Sequence, residues 1–329
     1  MRNKSVDAFR LIASFAIILL HVDFFYFSEP VKNNVRLLGR FAVPFFFLVA
    51  GYYFYQNYQK KGDTYFLQNL QRLISIFIVA SLVYVPFGLE EIYLNYNLFA
   101  RGGSFHLWFM SSLIFGTIMC WFNFSYLKND ILFSILSGVI LLLCVVSDSY
   151  GFSISFPRDY GFIMYLISIP FFYMGTIIAK KNIRLSTSYS ILIVLAGVGI
   201  QIGEAHFLES SRGINPFNHQ FLIGTIPYTL GMFFLSFSGL NFDMLGNLGK
   251  KYSLGIYLYH ILVCRFFAER VNQSDNMSVL FLNPLTIFFV TLIILMLIET
   301  YMPKFFLLLN GDFNLKRDRS PASQTEQFE

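Results

Sequence analysis

The chain has 329 residues, 56% of them hydrophobic, 19% aromatic and only 13% charged. Soluble globular domains carry roughly 25% charged residues, so an ordinary soluble fold is excluded. The formal net charge of +5 comes with no nucleic-acid-binding motif, and its distribution along the chain tells more than its sum.

The apolar residues come in blocks of the ~20 residues needed to cross a bilayer. The expected architecture is an all-α integral membrane protein, a bundle of about ten transmembrane helices. The predicted spans are residues 8–27, 37–56, 70–88, 106–124, 131–147, 161–179, 188–205, 219–239, 252–268 and 280–303. Short loops make neighbouring spans antiparallel. One integral domain over residues 1–310 is expected, followed by a polar, disordered cytoplasmic tail over 311–329.

The first span begins like a secretory leader, with Arg2 and Lys4 before an apolar run. Arg10 and His21 interrupt that run and no small-residue cleavage site follows, which predicts an uncleaved span. At about 100° per residue, Asp7, Arg10, Ser14, Ile17 and His21 fall on nearly one helical face. Arg10 and His21 are then roughly 16 Å apart along the axis, too far for a direct contact. Ionisable groups inside a bilayer face a bundle interior or a wet cavity. The helix therefore offers two polar stations at different depths. Arg10 suits a phosphate or carboxylate contact, with Asp7 placed to orient it; snorkelling to the interface is the plainer alternative. A neutral His21 suits general-base work; a hydrogen-bonded interfacial histidine is its plainer alternative.

Span two carries Pro44 and Ala50-Gly51, a point of close helix approach. Span three opens with Arg72, preceded by Lys60 and Lys61. Span four opens Gly102-Gly-Ser-Phe-His106-Leu-Trp108, which puts His106 at the depth of His21; Trp108 is also a natural interface anchor. Span nine reads Ser253-Leu-Gly-Ile-Tyr257-Leu-Tyr-His260, with His260 roughly 14 Å into the membrane. It serves equally as an interhelical hydrogen-bonding residue or as part of a site. Cys120, Cys144 and Cys264 are widely spaced and have no metal or redox pattern; no metal is expected.

With the N-terminus inside, one set of loops holds most of the cations, among them Lys60, Lys61, Arg72, Lys128, Lys180, Lys181, Arg184, Lys250 and Lys251. The opposite set holds fewer, including Lys32, Arg36, Arg40, Arg212 and Arg265. The positive-inside rule then places both termini in the cytoplasm of a multi-pass cell-membrane protein. P-loop, nucleophile-elbow, zinc-protease and haem signatures are all missing.

Arg10-x10-His21 preceded by Asp7, then Val43-Pro44-Phe-Phe-Phe-Leu-Val-Ala-Gly51, then His106-Leu-Trp108-Phe, then Ser253-Leu-Gly-Ile-Tyr257-Leu-Tyr-His260, resembles the acyltransferase-3 family of integral membrane acyltransferases. The likeness covers nearly the whole chain and is similar to the short members of the enterobacterial-common-antigen O-acetyltransferase type. It implies transfer of an acyl group, usually acetyl from acetyl-CoA as co-substrate, to a hydroxyl of a surface glycan or lipid-linked precursor. It also implies Arg10 and His21 as the essential pair. Asp7, Arg72, His106, Trp108, Tyr257 and His260 then line the acyl-CoA and substrate path. The chain departs from the family where Arg-x-x-Arg is common, reading Asn69-x-x-Arg72, and where Ser-Gly is commoner, reading Ala50-Gly51. Membrane lipids, acyl-CoA, the glycan acceptor and glycan-synthesis proteins are the expected partners, with no nucleic acid. A transporter or flippase of a lipid-linked or small polar substrate is the rival class, and a membrane sensor or scaffold the third.

Overall fold

The computed structural model describes residues 3–22, 28–87, 102–150, 165–213, 215, 220–240, 242–268 and 283–312. Among them there are helices and no strand. They are α1 (Lys4–His21), α2 (Glu29–Gly39), α3 (Ala42–Lys61), α4 (Asp63–Tyr84), α5 (Trp108–Phe122) and α6 (Asp130–Ser149). They continue as α7 (Ser168–Lys180), α8 (Thr187–Arg212), α9 (Thr225–Leu235), α10 (Asp243–Ala268), α11 (Pro284–Tyr301) and α12 (Pro303–Leu309).

The described part of every predicted span includes a helix, but about ten crossings are not confirmed on length and hydropathy among the described residues. Among the described residues, six helical stretches are long and apolar enough to cross a membrane: Pro30–Lys61, Asp63–Tyr84, Phe105–Leu127, Asp130–Ser149, Thr187–Arg212 and Pro284–Tyr301. The shortfall has a physical cause. α1 carries Lys4, Asp7 and Arg10, and α10 carries Asp243, Lys250, Lys251 and Arg265. α9 is only 11 residues long and α7 only 13. Residues 23–27 of the first predicted span, 88 of the third, 161–164 of the sixth, 219 of the eighth, 280–282 of the tenth and 313–329 of the predicted tail lie outside the described residues.

The outer helices are apolar on the side that faces away from the protein. Only 22% of the most apolar window of α6 and of α8 is buried, against 72% of that running through α2 and α3. Exposed Leu and Ile along α6 and α8 suit hydrocarbon as a solvent. α10 is the opposite case: Gly255 through Ile261 are all buried, so it is wrapped on every side.

Close helix contacts in such a bundle rest on small residues that let backbones meet. A Cβ on Gly249 of α10 would stand 1.9 Å from the Asp7 carbonyl oxygen of α1. α3 and α7 cross where a Cβ on Gly51 would lie 1.9 Å from the Phe172 carbonyl, and one on Gly175 2.1 Å from that of Leu48. The predicted close approach at Gly51 is thus a helix–helix crossing.

The direction of α10 relative to α1 follows from successive contacts. Lys4 meets Gly246, Asp7 meets Gly249, Ser14 meets Ser253 and His21 meets His260. Both numbers rise together, so the two helices run parallel. α11 returns antiparallel, with Lys251 paired to Glu299 and Gly255 against Leu295. Two elements that hydropathy did not single out complete the bundle. α2 lies against α8 and α9, where its Leu37 and Leu38 carbonyls accept from Gln201 and Tyr228. α12 follows α11 and tucks Leu309 into the core, its carbonyl accepting from Tyr259.

Candidate functional site

Asn3 caps α1 by accepting from the amides of Ser5 and Val6, which fixes where the helix starts and so the depth of Arg10 and His21. Asp7, one turn in, is buried and receives the Arg10 guanidinium at 3.2 Å. The carboxylate stands near the positive end of the helix dipole, where an anion is favoured. Ser14 donates to the Ser253 carbonyl of α10 at 2.8 Å. About two turns further, α1 ends at His21.

At that end three imidazoles from three helical segments meet. His21 and His260 stack, with ring centroids 5.5 Å apart and planes 26° apart. His106 sits edge-on to His260 at 5.4 Å. Phe105 closes on His21 edge-first at 5.4 Å. Tyr257 lies beside His106 at 5.9 Å and donates its hydroxyl to the His106 carbonyl.

Hydrogen bonding gives the three rings different chemistry. Nε2 of His106 faces the Leu258 carbonyl at 3.0 Å. A carbonyl only accepts, so this nitrogen carries the hydrogen, and Nδ1 then accepts from the Ser104 hydroxyl at 3.1 Å. Both nitrogens of His106 are committed and the ring is buried. Nδ1 of His260 faces the carbonyls of Tyr257 at 2.8 Å and Ile256 at 3.1 Å, so it too must donate. Nε2 of His260 is left as a bare acceptor, buried and without a partner among the described residues. His21 makes no hydrogen bond to the described residues, and unlike the other two it is exposed. Of the three, His21 is the accessible ring, and His260 lies buried behind it.

Tyr84 was not singled out from the sequence, yet it helps build the site. Its hydroxyl donates to the Leu258 carbonyl at 2.7 Å and lies 3.3 Å from Nε2 of His106. Ser104 likewise sets the His106 tautomer. Arg40, read only as a loop cation, is buried at the α2–α3 corner, bonds the Gln220 side chain and lies within electrostatic reach of His21. Asp148 of α6 accepts from the backbone amides of Gln220 and Phe221 at 2.6 and 2.9 Å, which pins that segment beside the site. A buried arginine beside a carboxylate was the available signal, but the partners are far apart in sequence.

Arg72 stands exposed on α4, 12 residues before Tyr84 and thus about 18 Å from the histidine level. That resembles the depth of Arg10, though Arg72 makes no contact with the histidines among the described residues. Trp108 opens α5 two residues after His106 and packs, half-buried, on the core. No group of three or more His, Cys, Asp or Glu side chains among the described residues could hold a metal ion.

The comparisons with known proteins agree with the motifs. The chain is similar to a serine/alanine racemase of Enterococcus gallinarum, 22% identical over 326 residues, covering 89% of this chain and 46% of that protein. It is also similar to an amino-acid racemase of Enterococcus faecalis, 26% identical over 164 residues, covering 45% of this chain and 23% of the relative. The chain spans less than half the length of these relatives. No solved structure matches it significantly. The family described as "Acyltransferase domain", Acyl_transf_3, matches residues 3–300, and the chain belongs to this acyltransferase-3 family.

Proposed function

We propose that the protein transfers an acyl group, acetyl in the simplest case, from cytoplasmic acyl-CoA to a hydroxyl of a surface glycan or its lipid-linked precursor. One observation carries the proposal: α1 and α10 run parallel, placing the accessible His21 over the buried base His260 at one level, with Arg10 braced by Asp7 about 16 Å below. An extended pantetheine arm is on the order of that offset. Arg10 binds the phosphates of the donor, and the thioester lies near His21.

In this scheme the acceptor oxygen attacks the thioester carbonyl while His21 takes the hydroxyl proton. The carbon–oxygen bond forms, the carbon–sulfur bond breaks, and the proton passes to the departing thiolate. His260 keeps its hydrogen on Nδ1 and stacks its ring against His21. Tyr257 and His106 frame the pocket and Trp108 flanks it. Arg72 contributes a second cation near the donor's phosphates. The cation-rich end of the bundle, with Arg10, Lys60, Lys61 and Lys180, faces the cytoplasm together with both termini.

The names of the relatives support a second acceptor class, a free amino acid bearing a hydroxyl, at the same site. The experiment is incubation of purified protein in nanodiscs with radiolabelled acetyl-CoA, following CoA release with lipid-linked glycan or with serine, beside His21→Ala. Turnover that depends on His21 supports acyl transfer, and the productive acceptor chooses between the two classes. Absence of turnover with several acyl-CoAs and a folded protein would replace the reading by transport of a lipid-linked or small polar substrate.

A further inference from the structure

A second pocket lies away from the histidines, between α3, α9 and the turn joining α7 to α8. It is lined by Tyr52, Ile178, Arg184, Leu185, Phe233 and Phe237. Its walls are aromatic and aliphatic, and its polar group is one guanidinium at the rim. The Arg184 guanidinium lies 5.2 Å over the Phe237 ring and 5.9 Å from that of Tyr52, and Nη2 donates to the Tyr52 hydroxyl at 3.0 Å.

Two features separate Arg184 from an ordinary surface cation. Stacking on two rings holds the planar group in place, so little side-chain entropy remains to be lost on binding. And among the described residues Arg184 has no carboxylate partner, whereas neighbouring Lys180 pairs with Asp130. Of the five N–H donors on a guanidinium, Tyr52 takes one.

The location narrows the ligand. α6 rises from Asp130 beside Lys180, and α5 descends from His106 towards Trp121 and Lys128. The pocket therefore opens at the end of the bundle opposite the histidines, the end that holds Lys60, Lys61, Lys128, Lys180, Lys181, Lys250 and Lys251. A fixed cation between helices, at an end of the bundle with many further lysines, matches the anionic lipid headgroups of the inner leaflet. Ile178 and Phe233 form the buried floor, and the accessible apolar surface beside Arg184 is the exposed Ile183 and the half-buried Phe237, on which a lipid chain can lie while the phosphate meets Arg184.

We propose that this pocket binds one anionic phospholipid, its phosphate on Arg184 and its chain against Ile183 and Phe237. The inference does not depend on the acyl-transfer reading. The test is native mass spectrometry of the full chain released from nanodiscs containing phosphatidylglycerol and phosphatidylcholine in equal amounts. Wild-type protein should retain phosphatidylglycerol preferentially, and Arg184→Gln should lose roughly tenfold of that preference, the scale of a charged hydrogen bond. Arg184→Lys should keep part of it, and Phe237→Ala should weaken retention while leaving the charge in place. Equal retention of the two lipids by the wild type, or unchanged preference in Arg184→Gln, overturns the proposal. So does displacement of the lipid by free CoA at micromolar concentration, which would reassign the pocket to a soluble nucleotide.

Discussion

The exposed His21 ring stacks on the buried His260 ring across the seam of two parallel helices. The carbonyls of Tyr257 and Ile256 hold the hydrogen of His260 on Nδ1. Exchange of the two residues should therefore have different consequences. His21→Ala removes the reachable base and is expected to lower kcat by roughly 10²–10⁴-fold, with the protein still inserted and monodisperse. His260→Asn keeps a donor near the Tyr257 carbonyl and removes Nε2, and a smaller loss, about tenfold, is expected. Single-turnover CoA release measures both. A His260→Asn enzyme as fast as wild type would reduce His260 to a packing residue.

Gly249 is the closest point of the α1–α10 seam, since an added Cβ would meet the Asp7 carbonyl at 1.9 Å. A rigid backbone cannot yield as a side chain does, so Gly249→Ala should destabilise the protein by about 1–3 kcal/mol. Gly138 in α6 has nothing within 4 Å of its added Cβ. There the higher helix propensity of alanine should stabilise by up to ~1 kcal/mol. Thermal unfolding of both variants in one detergent gives the comparison; equal shifts would refute the account of the seam.

How much of this was legible in the sequence depends on the range of the interaction. The placement of Asp7, Arg10, Ser14 and His21 on one face of α1 needed only helical periodicity, and the approach at Gly51 needed only the absence of a side chain. The convergence of His106 and His260 on His21 needs the partners of three distant segments, and depth alone suggested it. The tautomers were out of reach, because they are set by Ser104 and by the Leu258, Tyr257 and Ile256 carbonyls. The parallel run of α1 with α10 was equally hidden. Hydropathy read α2 as a loop and its last residues as the start of span two, since an 11-residue helix rich in Asn, Lys and Arg has no membrane signature.

His106 is tied on both nitrogens and shares the Leu258 carbonyl with Tyr84. Tyr84→Phe leaves that carbonyl with the imidazole donor, and should cost about 1 kcal/mol with CoA release nearly unchanged. His106→Leu leaves the buried Ser104 hydroxyl without its partner and should cost about 1–3 kcal/mol. Unfolding midpoints in detergent should therefore fall further for His106→Leu. A reversed order would show that Tyr84, not His106, holds α10 in place.

Asp7 is buried, while the Arg10 guanidinium it receives is half-buried. The carboxylate can thus orient the arginine without occupying all of its donors. Arg10 is proposed to meet the donor's phosphates some 16 Å from the chemistry, so loosening it should weaken donor binding more than the transfer step. Asp7→Asn keeps the size and a hydrogen-bond acceptor and removes the charge. The expected result is a KM for acetyl-CoA raised by roughly five- to tenfold, with kcat within about twofold of wild type, the pattern of lost uniform binding. Arg10→Lys keeps the charge and loses the planar fork, so it should raise KM further. Steady-state kinetics at saturating acceptor separates the constants. If Asp7→Asn lowers kcat and leaves KM unchanged, the pair acts on the reacting end of the donor and its assignment to the phosphate end fails.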